Sequence, residues 1–500
     1  MDGSTSSLRA VLVLTVMTNL FSVTVSEGQT TSITSSGLGT TISPPSIDPA
    51  GRPNYIITGG TRPGDGPNLF HSFGNFSIGT NNVARFFNES GRATTNILSR
   101  VTGGQPSNIF GTIQTAGFGS AALWLINPAG IVFGPTASLN VGGSVHFSTA
   151  DYLRLGSGND RFYADLGKTS QLTSAEVTAF GFLGERPAGT ITVQGGNALT
   201  VSEGKALSLV GGDIMIVGRT LSAPGGQINV ASVNSAAEAF LNPVGQSPGV
   251  DIVSVGQTRT GQRPTLAEGT VLIRGGALVG TVTLGNNAVL KTDAVSGGKA
   301  GNIEIEAKTL NAGPGTLISA GGGSAAQDGS VVLTASNQVA LSSVALISGS
   351  TASGDTANVT ITTPGAVSLA DGTTIVTNST TGNAGSVLIQ SGQFVMENSG
   401  IEAKTSAPIQ IGTTPSTETE FGQDFIACCK GGAVDIAASS ISLTGGVFAA
   451  RSDQTAQQVS GITIWTNNQG DITLGGRTIT LDNAKIFTDG QNLSLVMSGV

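Results

Sequence analysis

The chain has 500 residues, a net charge of −8, 73 glycines, 11% charged and 5% aromatic residues. Such a composition, rich in Ser, Thr, Asn, Val and Ile, favours strands and tight turns over helices, and a hydrophobic share of 38% beside so few charges is that of a folded chain. An acidic chain without a Lys/Arg cluster offers phosphate backbones no electrostatic footprint, which excludes nucleic acid as a partner.

Residues 1–26 have the layout of a secretory signal peptide, with Arg9 ahead of an apolar run that ends in small residues. No later stretch offers roughly 18 continuous apolar residues, so no membrane-spanning helix is expected in the mature chain. Residues 27–54, rich in Ser, Thr, Pro and Gly and without periodicity, read as a flexible leader, with the ordered part starting near Tyr55. From Tyr55 onward short apolar runs alternate with turn pairs such as Gly59-Gly60, Gly103-Gly104 and Gly142-Gly143. Short strands at close spacing, with no period near 3.6, predict an all-β unit.

Further on a pattern recurs, in which a small residue precedes two β-branched or Leu positions separated by one residue. It stands at Gly301-Asn-Ile-Glu-Ile, Gly329-Ser-Val-Val-Leu, Ala357-Asn-Val-Thr-Ile and Gly385-Ser-Val-Leu-Ile. A second alternating pair follows at Val339 and Leu341, Val367 and Leu369, and Phe394 and Met396; a third apolar point follows at Ile318, Ile347, Ile375 and Ile401. Three short strands per unit describe one coil of a right-handed parallel β-helix, an all-β solenoid. At about 4.8 Å per coil, residues 68–500 would form about 15–20 coils. An open solenoid end polymerises unless covered, so residues 55–100, with Phe70, Phe73, Phe76, Phe86 and Phe87, are the candidate N-terminal β cap. Residues 186–500 would be β-helix repeats that continue beyond Val500. Residues 405–431 interrupt the repeat as a candidate protruding loop, which includes near its end the vicinal pair Cys428 and Cys429, whose role the sequence leaves open.

Four segments in order, Asn68-Leu-Phe-His-Ser-Phe-Gly-Asn-Phe, Asn108-Ile-Phe-Gly-Thr-Ile, Leu123-Trp-Leu-Ile-Asn-Pro-Ala-Gly-Ile-Val-Phe-Gly and Val141-Gly-Gly-Ser-Val-His-Phe, resemble the N-terminal secretion domain of the filamentous haemagglutinin family. The resemblance covers residues 55–185. It implies export in a two-partner system: a signal peptide, recognition by the periplasmic POTRA domains of an outer-membrane barrel transporter, and nucleation of a β-helix outside the cell. The family's Asn-Pro-Asn-Gly-Ile signature corresponds to Asn127, Pro128, Ala129, Gly130 and Ile131, with Ala in place of the second Asn. Pro128 presets the first turn torsion, Asn127 can bond its own backbone and Gly130 permits positive φ. A plain turn between coils and a secretion and folding motif are both compatible with these residues, and with Asn108 and Gly111.

β-Helices also host polysaccharide lyases and hydrolases, which need converging carboxylates, or a carboxylate beside Arg or Lys. Asp151, Arg154, Asp160, Arg161 and Asp165, with Glu176 and Glu185, are the sole such cluster and read as a polar loop between coils. His71 and His146 read as satisfied structural residues, and no catalytic residue, metal or cofactor is expected. The sequence therefore reads as a secreted, adhesin-like exoprotein that is not an enzyme, with surface glycans or other cells as targets. A β-helical carbohydrate-active enzyme, or the carrier of a distal toxin domain, are the alternatives.

Overall fold

Alternation and turn chemistry set the architecture. In the computed structural model, which describes residues 30–233, 235–241, 250–254, 280–293, 299–321, 329–347, 356–379, 382–405 and the strands between 434 and 497, every regular element except a short 3-10 turn at Pro63–Asp65 is a β-strand. The signal segment 1–26, most of the 405–431 loop, and Cys428 and Cys429 lie outside the described residues.

The strands wind into a parallel β-helix. One column in continuous parallel register runs through Leu69, Ile97, Leu123, Val145, Leu207, Ile228, Ile303, Val331, Val359, Val387, Val434, Ile472 and Leu493. From Leu69 to Val434 all of these side chains are buried in one core. Among the described residues the column has fewer rungs than the 15–20 expected, in part because two insertions, which form a separate antiparallel sheet, leave the solenoid between rungs. The second apolar pair stacks as read, with Val339, Val367, Phe394 and Ile441 in register. The third column differs by one place. Leu346, not Ile347, aligns with Ile318 and Ile375, because the turn at Ser343, whose φ is 54°, is one residue shorter than its successor at Asp371-Gly372.

The small residue that opens each rung has a steric cause. A Cβ at Gly301 would run into the Gly226 carbonyl, one at Gly329 into the Gly301 carbonyl, and one at Gly385 into the Ala357 carbonyl. Backbone here lies directly on backbone.

The expected flexible leader is ordered, and it is the cap. Ser32–Gly37 pairs antiparallel with Asn68–Ser77, and Thr40–Ile42 and Ser46–Ile47 pair antiparallel with Pro53–Gly59. Ser and Thr hydroxyls accept N–H groups of the terminal rung: Thr40 Oγ1 from Ser72 at 3.0 Å, Thr34 Oγ1 from Asn75 at 2.9 Å and Thr31 Oγ1 from Gly79 at 2.8 Å. The strands Asn68–Ser77 and Asn96–Val101, placed in the cap by the sequence reading, are already parallel rungs. Phe73 and Phe76 of the first of these, with Phe86 of the strand Val83–Phe87, fill the first coils, whereas Phe87 is 41% exposed.

Residues 151–165 also differ from expectation. They are no loop but the hairpin Tyr152–Leu155 and Asp160–Tyr163, part of a 5-stranded antiparallel sheet with Val177–Phe182, Ala237–Leu241 and Val250–Ser254. Its inner side chains, Leu153, Phe162, Phe180 and Phe182, pack on the outward face of the solenoid at Leu98, Trp124, Ile126, Val210 and Ala231. A second hydrophobic core results.

Among the described residues another outward face stays open. A column of alternate residues, facing away from the core, runs in register through Asn108, Val132, Thr192, Met215, Thr283, Asn311, Ala340, Ser368, Val395 and Ser442. Each is half-buried or, at Met215, exposed.

Gly329→Val places a branched side chain against the carbonyl below and is expected to cost about 2–4 kcal/mol, read as a lower urea midpoint for the coils around it. Ala357→Gly, at the equivalent position, should cost no more than about 1 kcal/mol. Equal midpoints for the two variants would contradict the close backbone approach.

Candidate secretion and folding site

The turn at residues 127–131 joins the strands Ala122–Ile126 and Ile131–Phe133. Asn127 is 1% exposed and uses its whole amide. Its Nδ2 donates to the Gln105 carbonyl at 3.0 Å and to Ser107 Oγ at 2.9 Å, while its Oδ1 accepts the Ala129 N–H at 3.0 Å. The last bond is the Asx turn that an Asn-Pro start favours. The Asn127 carbonyl accepts the Gly130 N–H at 3.0 Å, and Gly130, at φ 122°, returns its own carbonyl to the Ser107 N–H at 3.0 Å. The Ile131 N–H then reaches up to the Thr190 carbonyl at 3.0 Å.

The turn therefore clamps three rungs: 105–107 below, its own, and 189–190 above. Gly189 is forced by this stacking, since a Cβ there would lie 2.6 Å from the Pro128 carbonyl oxygen and 2.7 Å from the Gly130 nitrogen. Pro128, Gly130 and Ile131 are buried.

Asn108 sits on the neighbouring rung, in register with Val132. Its N–H donates to Ser77 Oγ at 3.1 Å, its carbonyl accepts from Ile78 at 2.8 Å, and its side chain faces outward. Gly111 follows at a close approach, where a Cβ would collide with the Asn82 carbonyl. The structure brings the two motif segments onto adjacent rungs. Gln105 and Ser107, which complete the clamp from below, were not singled out in the sequence; the Ser107-Asn108 juxtaposition was the one local signal for them.

The charged cluster at 151–185 has a different use. Glu238, from the second insertion, accepts from Tyr152 Oη at 2.7 Å and from Arg154 Nη1 at 2.5 Å, with Arg161 Nη2 at 3.7 Å. Arg161 also lies over the Tyr152 ring at 4.6 Å. Burial, then the hydrogen bond to Glu238, push the Tyr152 phenol well above its usual range. Asp151 caps the Leu183 N–H at 2.8 Å, and Lys168 pairs with Glu185 at 3.1 Å. The carboxylates are distributed among separate structural partners, and among the described residues no three His, Cys, Asp or Glu side chains converge as a metal site would require.

Each histidine has a hydroxyl partner. His71 Nδ1 lies 3.2 Å from Thr40 Oγ1, and His146 Nδ1 lies 3.0 Å from Ser208 Oγ, with its ring stacked on Trp124 at 4.0 Å. Burial brings both from 6.5 down to about 3, with the nearby Arg62 charge a further cause at His71. Two buried arginines act as staples. Arg100 reaches from the solenoid to Ser72 Oγ, the Tyr163 carbonyl and Ser170 Oγ at 2.9, 2.6 and 3.2 Å. Arg219, 1% exposed and with its pKa lowered by burial to about 10, donates to the carbonyls of Gly134, Gln194 and Ala137.

The site therefore lies in the first rungs of a capped parallel β-helix, in a turn whose hydrogen-bonding groups are engaged by the rungs on both sides. The model of the TPS secretion domain family matches residues 32–281, and the chain belongs to that family, the secretion domain of two-partner secretion exoproteins. The match begins at the cap and runs past the expected limits of 55–185, taking in both insertions of the antiparallel sheet. Among solved structures, the secretion domain of HMW1 from Haemophilus influenzae aligns with a TM-score of 0.55 at 17% identity, covering 92% of this chain and 98% of that one. The filamentous hemagglutinin secretion domain aligns with a TM-score of 0.35 at 14% identity, covering 72% of this chain and 97% of that one. No curated protein matches the chain.

Two outcomes follow. Asn127→Ala removes three hydrogen bonds and strands the Gln105 carbonyl, so a loss of about 2–3 kcal/mol is expected by urea unfolding; a change under about 0.5 kcal/mol would refute the clamp. Because both folded-state histidine pKa values lie below 6.5, stability is complete above that pH and falls as pH drops from 6.5 toward 3. The loss is up to about 1.4 kcal/mol per pH unit for each histidine. The double variant His71→Gln/His146→Gln should flatten the dependence between pH 6.5 and 5, and an unchanged slope would show that other groups set it.

Proposed function

We propose that this chain is the exported partner of a two-partner system and acts as an adhesin-like exoprotein. Residues 1–26 direct it to the periplasm, an outer-membrane barrel with POTRA domains receives residues within 32–281, and the solenoid grows outside the cell, to stay at the surface or be released. Membership of the secretion-domain family supports the route. The observation that carries the residue-level reading is the burial of the 127–131 turn. Asn127 has no free hydrogen-bonding group once the rungs at 105–107 and 189–190 are in place, so a transporter that reads Asn127, Pro128, Gly130 and Ile131 must do so before those rungs close. Recognition and folding then use the same atoms in succession, and folding itself releases the chain. Asn108 and Gly111 stand on the adjacent rung and tie it to Ser77, Ile78 and Asn82 instead. An elongated scaffold with low-charge outward columns suits repeated weak contacts with glycans or other cells.

Co-expression with a candidate transporter tests this reading. Omitting the transporter is expected to abolish the secreted chain, and Asn127→Ala and Gly130→Val are each expected to lower its yield at least tenfold while periplasmic levels hold. Secretion unchanged without the transporter would overturn the proposal.

A further inference from the structure

We propose that the outward column from Asn108 to Ser442 is a binding strip for one extended chain of a neutral, linear polysaccharide, a reading that rests on the adhesin-like role above. Its polar members, Asn108, Thr192, Thr283, Asn311, Ser368 and Ser442, point away from the core, and their side chains make no hydrogen bond within the described residues. Between them stand apolar members, including Met215, which is 39% exposed, and Val395. Free hydroxyls and amides interspersed with apolar contacts match a pyranose ring, which carries equatorial hydroxyls around a C–H face.

Charge and shape select the occupant. The central column carries no ionisable group, and the columns on either side carry only Asp213 and Glu397 among the described residues. With a net charge of −8, these two carboxylates would repel an acidic polymer. The in-register rungs extend roughly 45 Å along the axis at about 4.8 Å each, and the three columns span about 13 Å. That is on the order of 600 Å², short of the roughly 800 Å² per partner in a standard protein interface, and the outline is a ribbon. A linear polymer fits where a second copy of this chain does not. The rung spacing is also close to the length of one sugar unit in an extended chain, so a weak contact recurs at each rung and the contacts reinforce one another.

Co-sedimentation of the full secreted chain with microcrystalline cellulose, against immobilised polygalacturonate, provides the test. The double variant Thr283→Lys/Ser368→Lys inserts charge into the strip at outward positions, and Thr362→Lys makes the same change on another outward face. Wild type is expected to bind cellulose in preference to polygalacturonate, the double variant at least tenfold more weakly than wild type, and Thr362→Lys within twofold of it, with far-UV circular dichroism unchanged throughout. Failure to bind cellulose, preference for polygalacturonate, equal losses in the two variants, or a wild-type dimer in sedimentation equilibrium that the double variant breaks would each overturn the strip. Adhesion of wild type and the double variant to whole cells separates the two readings. Equal adhesion overturns the strip and leaves the adhesin role standing; cellulose binding without any adhesion supports the strip and overturns the adhesin role.

Discussion

Each rung of a parallel β-helix finds its backbone hydrogen-bond partners in the rungs before and after it, so no rung is satisfied alone. The constraint is hardest at the first rung, which has a neighbour on one side. A buried N–H left unpaired costs about 1–3 kcal/mol, and Asn68–Ser77 presents a whole row of them. The segment 30–47 answers this with an antiparallel strand and with Thr31, Thr34 and Thr40, whose hydroxyls take N–H groups where strand pairing is interrupted. Once that edge is closed, growth has a single direction. Every later rung in the column from Leu69 to Leu493 pairs in parallel register with the one before it.

A solenoid built in this way has inner columns that tolerate little and outer columns that tolerate much. The first coils depart from that freedom, because their outward face at Leu98, Trp124 and Ile126 is itself apolar and must be covered. The cover comes from two insertions far apart in the chain. The first supplies Tyr152–Leu155, Asp160–Tyr163 and Val177–Phe182, and the second supplies Ala237–Leu241, whose Glu238 takes Tyr152 and Arg154 as hydrogen-bond partners. Two coils, Ile191–Val193 to Ile214–Val217 and onward to Gln227–Ser232, separate them. The second core is therefore complete only when the chain has folded past residue 241, which accounts physically for a family match that continues to 281 rather than stopping at 185.

What was legible in the sequence was whatever repeats in register. The spacing of Gly301, Gly329, Ala357 and Gly385 exposed the rungs because a close backbone approach constrains the three glycines, and the alternation at Val339/Leu341 and Val367/Leu369 exposed the inward face. The third column reads through Ile347 in the sequence, in place of Leu346, because Ser343 takes a left-handed turn without a glycine to mark it. The leader was misread because Ser and Thr at high density resemble a disordered segment, whereas three of its Thr hydroxyls serve an edge that exists only once the first rung has formed. The cluster at 151–165 was misread for a different reason: Glu238, which gives Arg154 and Arg161 their purpose, lies more than 70 residues away in the sequence. Asn127, Pro128 and Gly130 were legible as a turn, but the partners Gln105, Ser107 and Gly189 depend on which rungs become neighbours.

These differences bear on where recognition by outside partners can be written. Inward residues are fixed by packing, rung-opening residues by backbone contact, and the apolar outward face of the first coils by the antiparallel sheet. The 127–131 turn, which the transporter is proposed to read, is consumed by folding and is closed to any later partner. What stays both continuous and unconstrained from the first coils to Ser442 is the outward column that begins at Asn108. Substitutions there change neither the core nor the ladder, so its nearly charge-free character over so many rungs is not something the fold requires. A folded exoprotein has to meet its surroundings through residues of this kind, and the same open column begins one residue from Ser107, inside the clamp that the export motif closes.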